Sequence, residues 1–305
     1  MTLSIVIVTY NSRGFIDACL QSAHEVVRVM GVDAAEVCVV DNASPDGTAD
    51  AVRAAHPWVR VIDSGRNGGF AHGVNLGLRH TTGTFVLWLN PDSRFLTNAG
   101  VGLSAVLGWM TAHPRVGIVG GRLLDPDGSV QRSARTFPAY GAVLGARYSL
   151  LTRLWPNNPF SKKFLRSDLS YADEAVVDWV SGACLLHRRA VSDALQGLDE
   201  GFFMYFEDVD FCYRATQAGW AVHFHPGFSV EHHIGGSSEF APVQMLVARH
   251  RSMWRWYTKH FRRFWLKDLV IYAGIWTRCG WLCARRWWRL PPRPKGHAGM
   301  PCRHP

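Results

Sequence analysis

The chain has 305 residues, 48% of them hydrophobic, and a formal net charge of +9; that is apolar material for one large domain or two ordinary ones, and too much for a disordered chain. The charge is lopsided: from Arg249 onward there are 14 Lys/Arg against one acid, Asp268, with seven of the 13 tryptophans, whereas the preceding 248 residues carry 19 bases and 23 acids. Seven cysteines stand singly with no CxxC pair, which excludes a disulfide scaffold or zinc ribbon and indicates reduced thiols.

Strand character begins at Leu3, which leaves no room for a secretory leader and predicts a cytoplasmic protein. LSIVIVTY (3–10), EVCVVD (36–41), VRVIDS (59–64), TFVLWLN (84–90) and VGIVGG (116–121) are near-continuous apolar, β-branched runs of the kind found in parallel strands buried on both faces. Helical segments are expected between them, around 14–29, 48–55, 71–80 and 97–112. Alternating strands and helices predict a doubly wound, mostly parallel α/β sheet, whose ligands bind outside the carboxyl ends of the strands. The polar residues at those ends are Thr9, Tyr10, Asn11, Asp41, Asn42 and Asp92. Beyond residue 121, DPDG (125–128) reads as a hairpin turn, 138–175 has weak periodicity, and VVDWVSGACLLH (176–187) resumes an apolar run. A helix is expected from Glu207 to near Gly219, and helical character again from Val243 to Pro291. Residues 291–305 read as a disordered tail.

Several of these segments carry chemistry. In VVDNASPDGTAD (39–50), Asp41 ends a strand, where a carboxylate can accept a pyrimidine N–H or a ribose hydroxyl; an Asx-type turn that merely fixes the loop fits the same string. RNGGFAHGVNLGL (66–78) has four glycines opening a helix, suited to close approach of a phosphate or sugar and equally to close helix–sheet packing. It is neither the dinucleotide fingerprint nor a P-loop. In LNPDS (89–93), Asp92 can offer an oxygen to Mg²⁺ or Mn²⁺, which use one or two carboxylates plus substrate phosphates, although Pro-Asp-Ser also suits a surface turn. EDVD (207–210) puts three acids at a helix start, where the dipole favours them. It follows the aromatic GFFMYF, so a carboxylate half-buried there can act as a general base. HFHPGFSVEHHIGGSS (223–238) brings four histidines, of which no more than one of the adjacent pair His232 and His233 is expected to be a metal ligand.

Taken in order, VTYN, VVDNASPDGT, RNGGFAxGxNxGL, LNPDS, SGAC, GLDEGFFMYFEDVDFCYRA, GW and HHIGGSS resemble glycosyltransferase family 2, inverting enzymes of the GT-A fold. LNPDS with RLLDPDGSVQRSARTFP and FFMYFEDVDFCYR is similar to its bacterial rhamnosyltransferase-like branch, over roughly residues 3–240. The resemblance implies a nucleoside-diphosphate sugar donor, best guessed as dTDP-rhamnose with UDP-sugars next, bound by Thr9, Asn11, Asp41, Arg66, Asn67 and Asp92. LNPDS corresponds to the family's DxD motif with Asn90 in place of the first aspartate, which leaves Asp92 as the principal carboxylate for a divalent cation; His232 aligns with the metal-contacting histidine. The family's ED motif makes Asp208 the base and Glu207 the reserve; on a helix Asp210 projects about 200° from Asp208, nearer solvent or a capping role. Configuration inverts by in-line displacement.

On this reading 1–242 is the catalytic domain, with a nucleotide-sugar half (1–121) and an acceptor half (122–242), followed by a basic, Trp-rich helical extension over 243–290. WLKDLVIYAGIWTRCGWLCARRWWRL (265–290) is interrupted by Asp268 and Arg278 and contains no run of ~20 apolar residues. An interfacial helix on an anionic membrane surface, at the inner face of the cell membrane, suits it, and a lipid-linked or glycan acceptor would be met there. Packing against the catalytic domain or another subunit is the alternative. Two other functions remain open: a nucleotidyltransferase, against which stands the lack of lysine in VTYNSRGF, and a nucleic-acid-binding protein using the basic tail. Basic residues avoid the sheet's carboxyl edge, so no nucleic acid is expected as partner.

Overall fold

The computed structural model describes residues 2–31, 33–138, 169–233, 242–262 and 264–287. The chain divides into two units, Met1–Ala241 and Pro242–Pro305. The expected disordered tail over 291–305 and the segment IGGSS (234–238) lie outside the described residues.

In the first unit β1 (Leu3–Thr9) and β4 (Phe85–Leu89) are buried along their whole length, which is why both read as unbroken apolar runs. β1 lies between β4 and β2 (Ala35–Asp41), and β3 (Arg60–Asp63) forms the edge; all four are parallel. The connecting helices are α1 (Ile16–Met30), α2 (Thr48–Ala55) and α3 (Phe70–Arg79). α3 rides close on the sheet because a side chain at Gly73 or Gly77 would collide with Val8 or Val6, so those two glycines serve packing. Beyond β4 come β5 (Ser93–Phe95), α4 (Ala99–Ala112), β6 (Val116–Leu124), β7 (Ala134–Arg135), β8 (Ala175–Val176), β9 (Trp179–Val180), β10 (Cys184–Arg188), α5 (Arg189–Leu195), α6 (Glu207–Gln217) and β11 (Ala221–His232).

The sheet runs β3-β2-β1-β4-β10-β6-β11-β5, with β8 also pairing β11. Among the described residues β10 is an antiparallel strand wedged between β4 and β6, while β6 and β11 run the same way as β1 to β4. The carboxyl ends of β1, β2, β4, β6 and β11 therefore share one edge, and Thr9, Asp41, Asn90, Leu124 and His232 arrive there together. DPDG is the expected turn: Asp125 and Ser129 pair across it, and Gly128 takes the left-handed conformation, φ +82°. α6 ends just before Gly219, φ +88°.

The second unit is the expected helical extension, built as a hairpin of two helices. α7 (Pro242–His260) and α8 (Trp265–Trp287) fold back on each other. Asp268, the single acid of the basic segment, is buried at the turn, where it accepts hydrogen bonds from Tyr257 Oη at 2.5 Å and Arg262 Nε at 3.1 Å. The break carries no Gly or Pro; this acid on the second helix, bridging back to the first, holds it. No described helix is long and apolar enough to cross a membrane. The six described cysteines are free thiols.

Candidate active site

Three clusters meet at the carboxyl edge. In the first, β1 and β2 are in register with Thr9 opposite Asp41. Asp41 Oδ1 accepts Thr9 Oγ1 at 2.8 Å and Ser44 Oγ at 2.6 Å, and Oδ2 accepts the Ser44 N–H at 2.8 Å. Ser44 Oγ in turn accepts the Asn11 N–H at 3.0 Å. Asn11 sits at φ +54°, and its buried Oδ1 has no hydrogen-bond partner. Thr9, Asn11 and Asp41 are thus brought together through Ser44, which sequence reasoning passed over. The Asp41 carboxylate fixes the loop, and the Asn11 side-chain oxygen lies buried beside it without a partner.

Arg66 and Asn67 are exposed, and Ser64, whose N–H is donated to Asp41 O at 2.9 Å, links Arg66 O to that cluster through its hydroxyl. Asn67 Oδ1 accepts the Gly69 N–H at 3.1 Å, and Ser64 donates to Asn42 Oδ1 at 3.2 Å. Gly69, φ +86°, leaves no room for a Cβ against the Phe203 carbonyl, which accepts the Phe70 N–H at 2.9 Å. This glycine ties the first half of the chain to the loop preceding α6.

The second cluster holds Asp92 and His232. His232 Nε2 lies 3.6 Å from Asp92 Oδ1 and 3.4 Å from Asn90 Nδ2. His232 Nδ1 is 2.9 Å from Gln131 Oε1. His233 turns away toward Glu231, 3.4 Å distant. Burial lowers the His232 pKa, partly offset by the Asp92 charge, which favours the neutral imidazole a metal requires. The same burial raises the thiol pKa of Cys19, and the Asp92 charge pushes it further, so Cys19 stays protonated beside the site. One carboxylate and one imidazole nitrogen on a buried edge fit a divalent cation completed by substrate phosphates. They do not make a self-sufficient cage, and the described residues include no cluster of three or more His, Cys, Asp or Glu of that kind.

The third cluster is the start of α6. Tyr205 and Phe206 both lie in the left-handed region, φ +68° and +69°, and turn the chain sharply into the helix. Glu207 is buried and its Oε2 has no hydrogen-bond partner. Asp208 Oδ2 accepts the Gly182 N–H at 3.0 Å, and Oδ1 the Val209 N–H at 2.8 Å. Desolvation, then the Asp208 charge, holds the Glu207 carboxyl well above the usual range. Asp208 is also raised by desolvation, against the pull of the Gly182 and Val209 N–H groups and the Arg135 guanidinium. Of the pair, Asp208 alone receives N–H donors that favour its charged form, while Glu207 Oε2 has none. Gly182 belongs to SGAC, and the next residue's carbonyl, Ala183 O, accepts the Asn90 N–H at 3.0 Å. One short loop therefore joins the carboxylate of α6 to the Asn90–Asp92 segment.

Asp210 departs from expectation. It has no solvent exposure and is paired with Arg214 at 2.7 Å, while Arg214 also donates to Leu195 O and Gly197 O. Four residues apart on one helix face, the two form a structural pair that anchors α6 to the end of α5, not a solvated cap.

The sequence pattern of glycosyl transferase family 2 matches residues 4–191. The chain belongs to this family. It is 32% identical over 294 residues, 93% of its length and 91% of the relative's, to an N-acetylglucosaminyl-diphospho-decaprenol L-rhamnosyltransferase of Mycobacterium tuberculosis. It is 30% identical over 221 residues, 70% of its length and 62% of the relative's, to a low-salt glycan biosynthesis hexosyltransferase of Haloferax volcanii. It is thus a glycosyltransferase of the rhamnosyltransferase-like branch. Among solved structures, a mannosyltransferase from Pyrobaculum calidifontis in complex with GDP-Man and Mn2+ superposes with a TM-score of 0.56 at 20% identity, over 92% of this chain and 72% of that one; the fold is GT-A. The family match stops before Glu207 and His232, whose placement rests on the geometry above.

Proposed function

We propose that this glycosyltransferase moves a sugar, with inversion, from a nucleoside-diphosphate donor to a hydroxyl of a polyprenyl-diphosphate-linked glycan in cell-envelope polysaccharide synthesis. One observation carries the reading: the desolvated Asp208 is held by the same short loop that holds Asn90, next to the Asp92–His232 pair. Asp208 takes the proton of the acceptor hydroxyl, the oxygen bonds to the anomeric carbon, and the bond from that carbon to the diphosphate breaks on the opposite face. A divalent cation, Mg²⁺ or Mn²⁺, held by Asp92 and His232 would offset the charge building on the departing diphosphate. Thr9, Asn11 and Asp41 hold the nucleoside, with Arg66 and Asn67 alongside. The lipid-linked acceptor and rhamnose follow the mycobacterial relative's name, with dTDP-rhamnose the first donor to test.

The second unit supplies a place at the membrane. Among the described residues, the stretch from Phe264 to Trp281 holds seven large hydrophobic side chains that face solvent, including Trp265, Leu269 and Val270 at 67%, 59% and 71% exposure. A basic segment with such a surface suits an interfacial site on anionic lipid, at the inner face of the membrane.

The test is a thermal-shift panel of dTDP-, UDP- and GDP-sugars with and without Mn²⁺, followed by sugar transfer to an N-acetylglucosaminyl-diphospho-polyprenol. A donor at 100 times its dissociation constant stabilises by ~2.7 kcal/mol, and Asp92→Ala should abolish the Mn²⁺-dependent part. No response to any nucleotide sugar, or an undiminished one in Asp92→Ala, overturns the reading.

A further inference from the structure

The DPDG hairpin brings a side chain under the metal-facing histidine that family resemblance assigned no role. Gln131 follows the turn, is bound to Leu123 O through its own N–H at 2.9 Å, and is 8% exposed. Its side-chain nitrogen faces three acceptors: His232 O at 2.6 Å, Asp125 Oδ1 at 2.9 Å and Leu124 O at 3.3 Å. The reversed amide would set its oxygen against two carbonyls and a carboxylate. The three acceptors therefore fix which end is nitrogen. The oxygen is left toward His232 Nδ1 at 2.9 Å, and an amide oxygen can only accept there, so Nδ1 carries the hydrogen.

The consequence falls on the other ring nitrogen. A neutral imidazole has one N–H, so with Nδ1 protonated the Nε2 lone pair is bare, 3.6 Å from Asp92 Oδ1. The neighbouring Asn90 Nδ2, 3.4 Å away, is a donor and suits a bare Nε2. Asp92 alone would draw the proton the other way, onto Nε2, and so occupy the position a cation needs. We propose that Gln131 is a positioning residue: anchored by Asp125, it locks His232 in the Nδ1–H tautomer and keeps Nε2 open as a ligand toward a divalent cation shared with Asp92. The inference deepens the metal reading above and rests on it for its purpose, while the tautomer itself can be read without metal. It also gives DPDGSVQ a task. The turn's first Asp holds the glutamine that orients the histidine at the end of β11, 101 residues later.

Two measurements test it. In metal-free protein, ¹⁵N correlation spectra of the histidine rings should show His232 as the Nδ1–H tautomer in the wild type and as Nε2–H in Gln131→Met. Titration with Mn²⁺ alone, followed by the EPR signal of the free ion, should show affinity falling about 10- to 100-fold in Gln131→Met, the usual cost of losing an outer-shell partner of a ligand. Equal melting temperatures would exclude a general loss of structure. A wild-type His232 found as Nε2–H, or a Gln131→Met protein with unchanged tautomer and Mn²⁺ affinity, overturns the proposal; the wild-type spectrum decides even if a variant fails to fold. Mn²⁺ binding equal in wild type and Asp92→Ala would instead remove the metal reading and leave the tautomer result standing.

Discussion

Replacing Asp208 with asparagine separates proton removal from every other task of the site. Asn keeps the size of the side chain, and its oxygen can still accept the Gly182 N–H that holds Asp208 Oδ2 at 3.0 Å. Its NH₂ would then meet the Val209 N–H in place of Oδ1, a loss of one hydrogen bond at about 1 kcal/mol. Against that loss, a desolvated negative charge disappears, and with it the second cause of the raised Glu207 pKa. The sign is definite: carboxyls raised above their unfolded values stabilise the fold at low pH, and that contribution is lost as pH rises through the raised folded values. The variant should therefore lose less stability than the wild type between mildly acidic and neutral pH. Turnover should fall by ~10²–10⁴-fold, the range for a general base, which is about 2.7–5.5 kcal/mol of transition-state stabilisation. The acid limb of the wild-type kcat/KM profile should lie above the ordinary carboxylate range and vanish in the variant, with donor affinity unchanged. The assay must follow sugar transfer and not nucleotide hydrolysis. Near-normal turnover would refute the assignment and move the base to Glu207.

Two further outcomes are expected. Arg214→Ala removes the guanidinium from the fully buried Asp210 carboxylate and should destabilise the first unit by ~3–5 kcal/mol, read as a lower urea midpoint, whereas Asp210→Asn should keep near-normal turnover. Deleting 265–305 should abolish flotation with anionic vesicles and spare donor-induced thermal shifts; flotation of the intact protein should weaken from 0.15 M to 1 M salt, as the screening length falls from ~8 to ~3 Å. A truncated protein that floats as well as the intact one refutes the membrane assignment.

The parallel half of the sheet was legible because β1 and β4 are buried on both faces, and that burial demands an unbroken apolar run. The direction of a strand leaves no such mark. CLLHR is as apolar as the parallel strands around it, and nothing local shows that β10 runs antiparallel between β4 and β6. The helical break near residue 261 was invisible for a related reason: no local breaker makes it, and its cause, Asp268 reaching back to Tyr257, lies on the next helix. At the site, Asp41, Asp92, Asp208 and His232 stood out because their types at strand and helix ends are chemically telling. Ser44, Gly182 and Gln131 were missed because each acts through an oxygen or an N–H aimed at another residue. A glutamine three residues past a turn carries no signal until the histidine it faces is known. Asp210 was misplaced because helical spacing says which way a side chain points and not what covers it; α5 and Arg214 cover that face.

A further set of contacts binds the two halves of the chain to each other. Phe70 at the start of α3 donates to Phe203 O, and Asn75 Nδ2 donates to Leu198 O at 2.9 Å while its oxygen accepts the Leu198 N–H at 2.8 Å. His72 Nδ1 lies 2.8 Å from Glu200. The whole loop from 197 to 206 is thus fastened to a helix of the donor half before it makes its two left-handed residues and enters α6. Left-handed non-glycine residues cost about 1–3 kcal/mol each and persist where their surroundings over-determine them. Here they are fixed on one side by α3 and on the other by the first helical hydrogen bond, Asp210 N–H to Phe206 O at 2.8 Å. The sharp entry aims Glu207 into the interior and leaves Asp208 against Gly182, so one strained turn sets the two carboxyls in different surroundings. Because that turn is built on α3, whatever shifts α3 against the sheet also shifts Asp208 relative to Asp92.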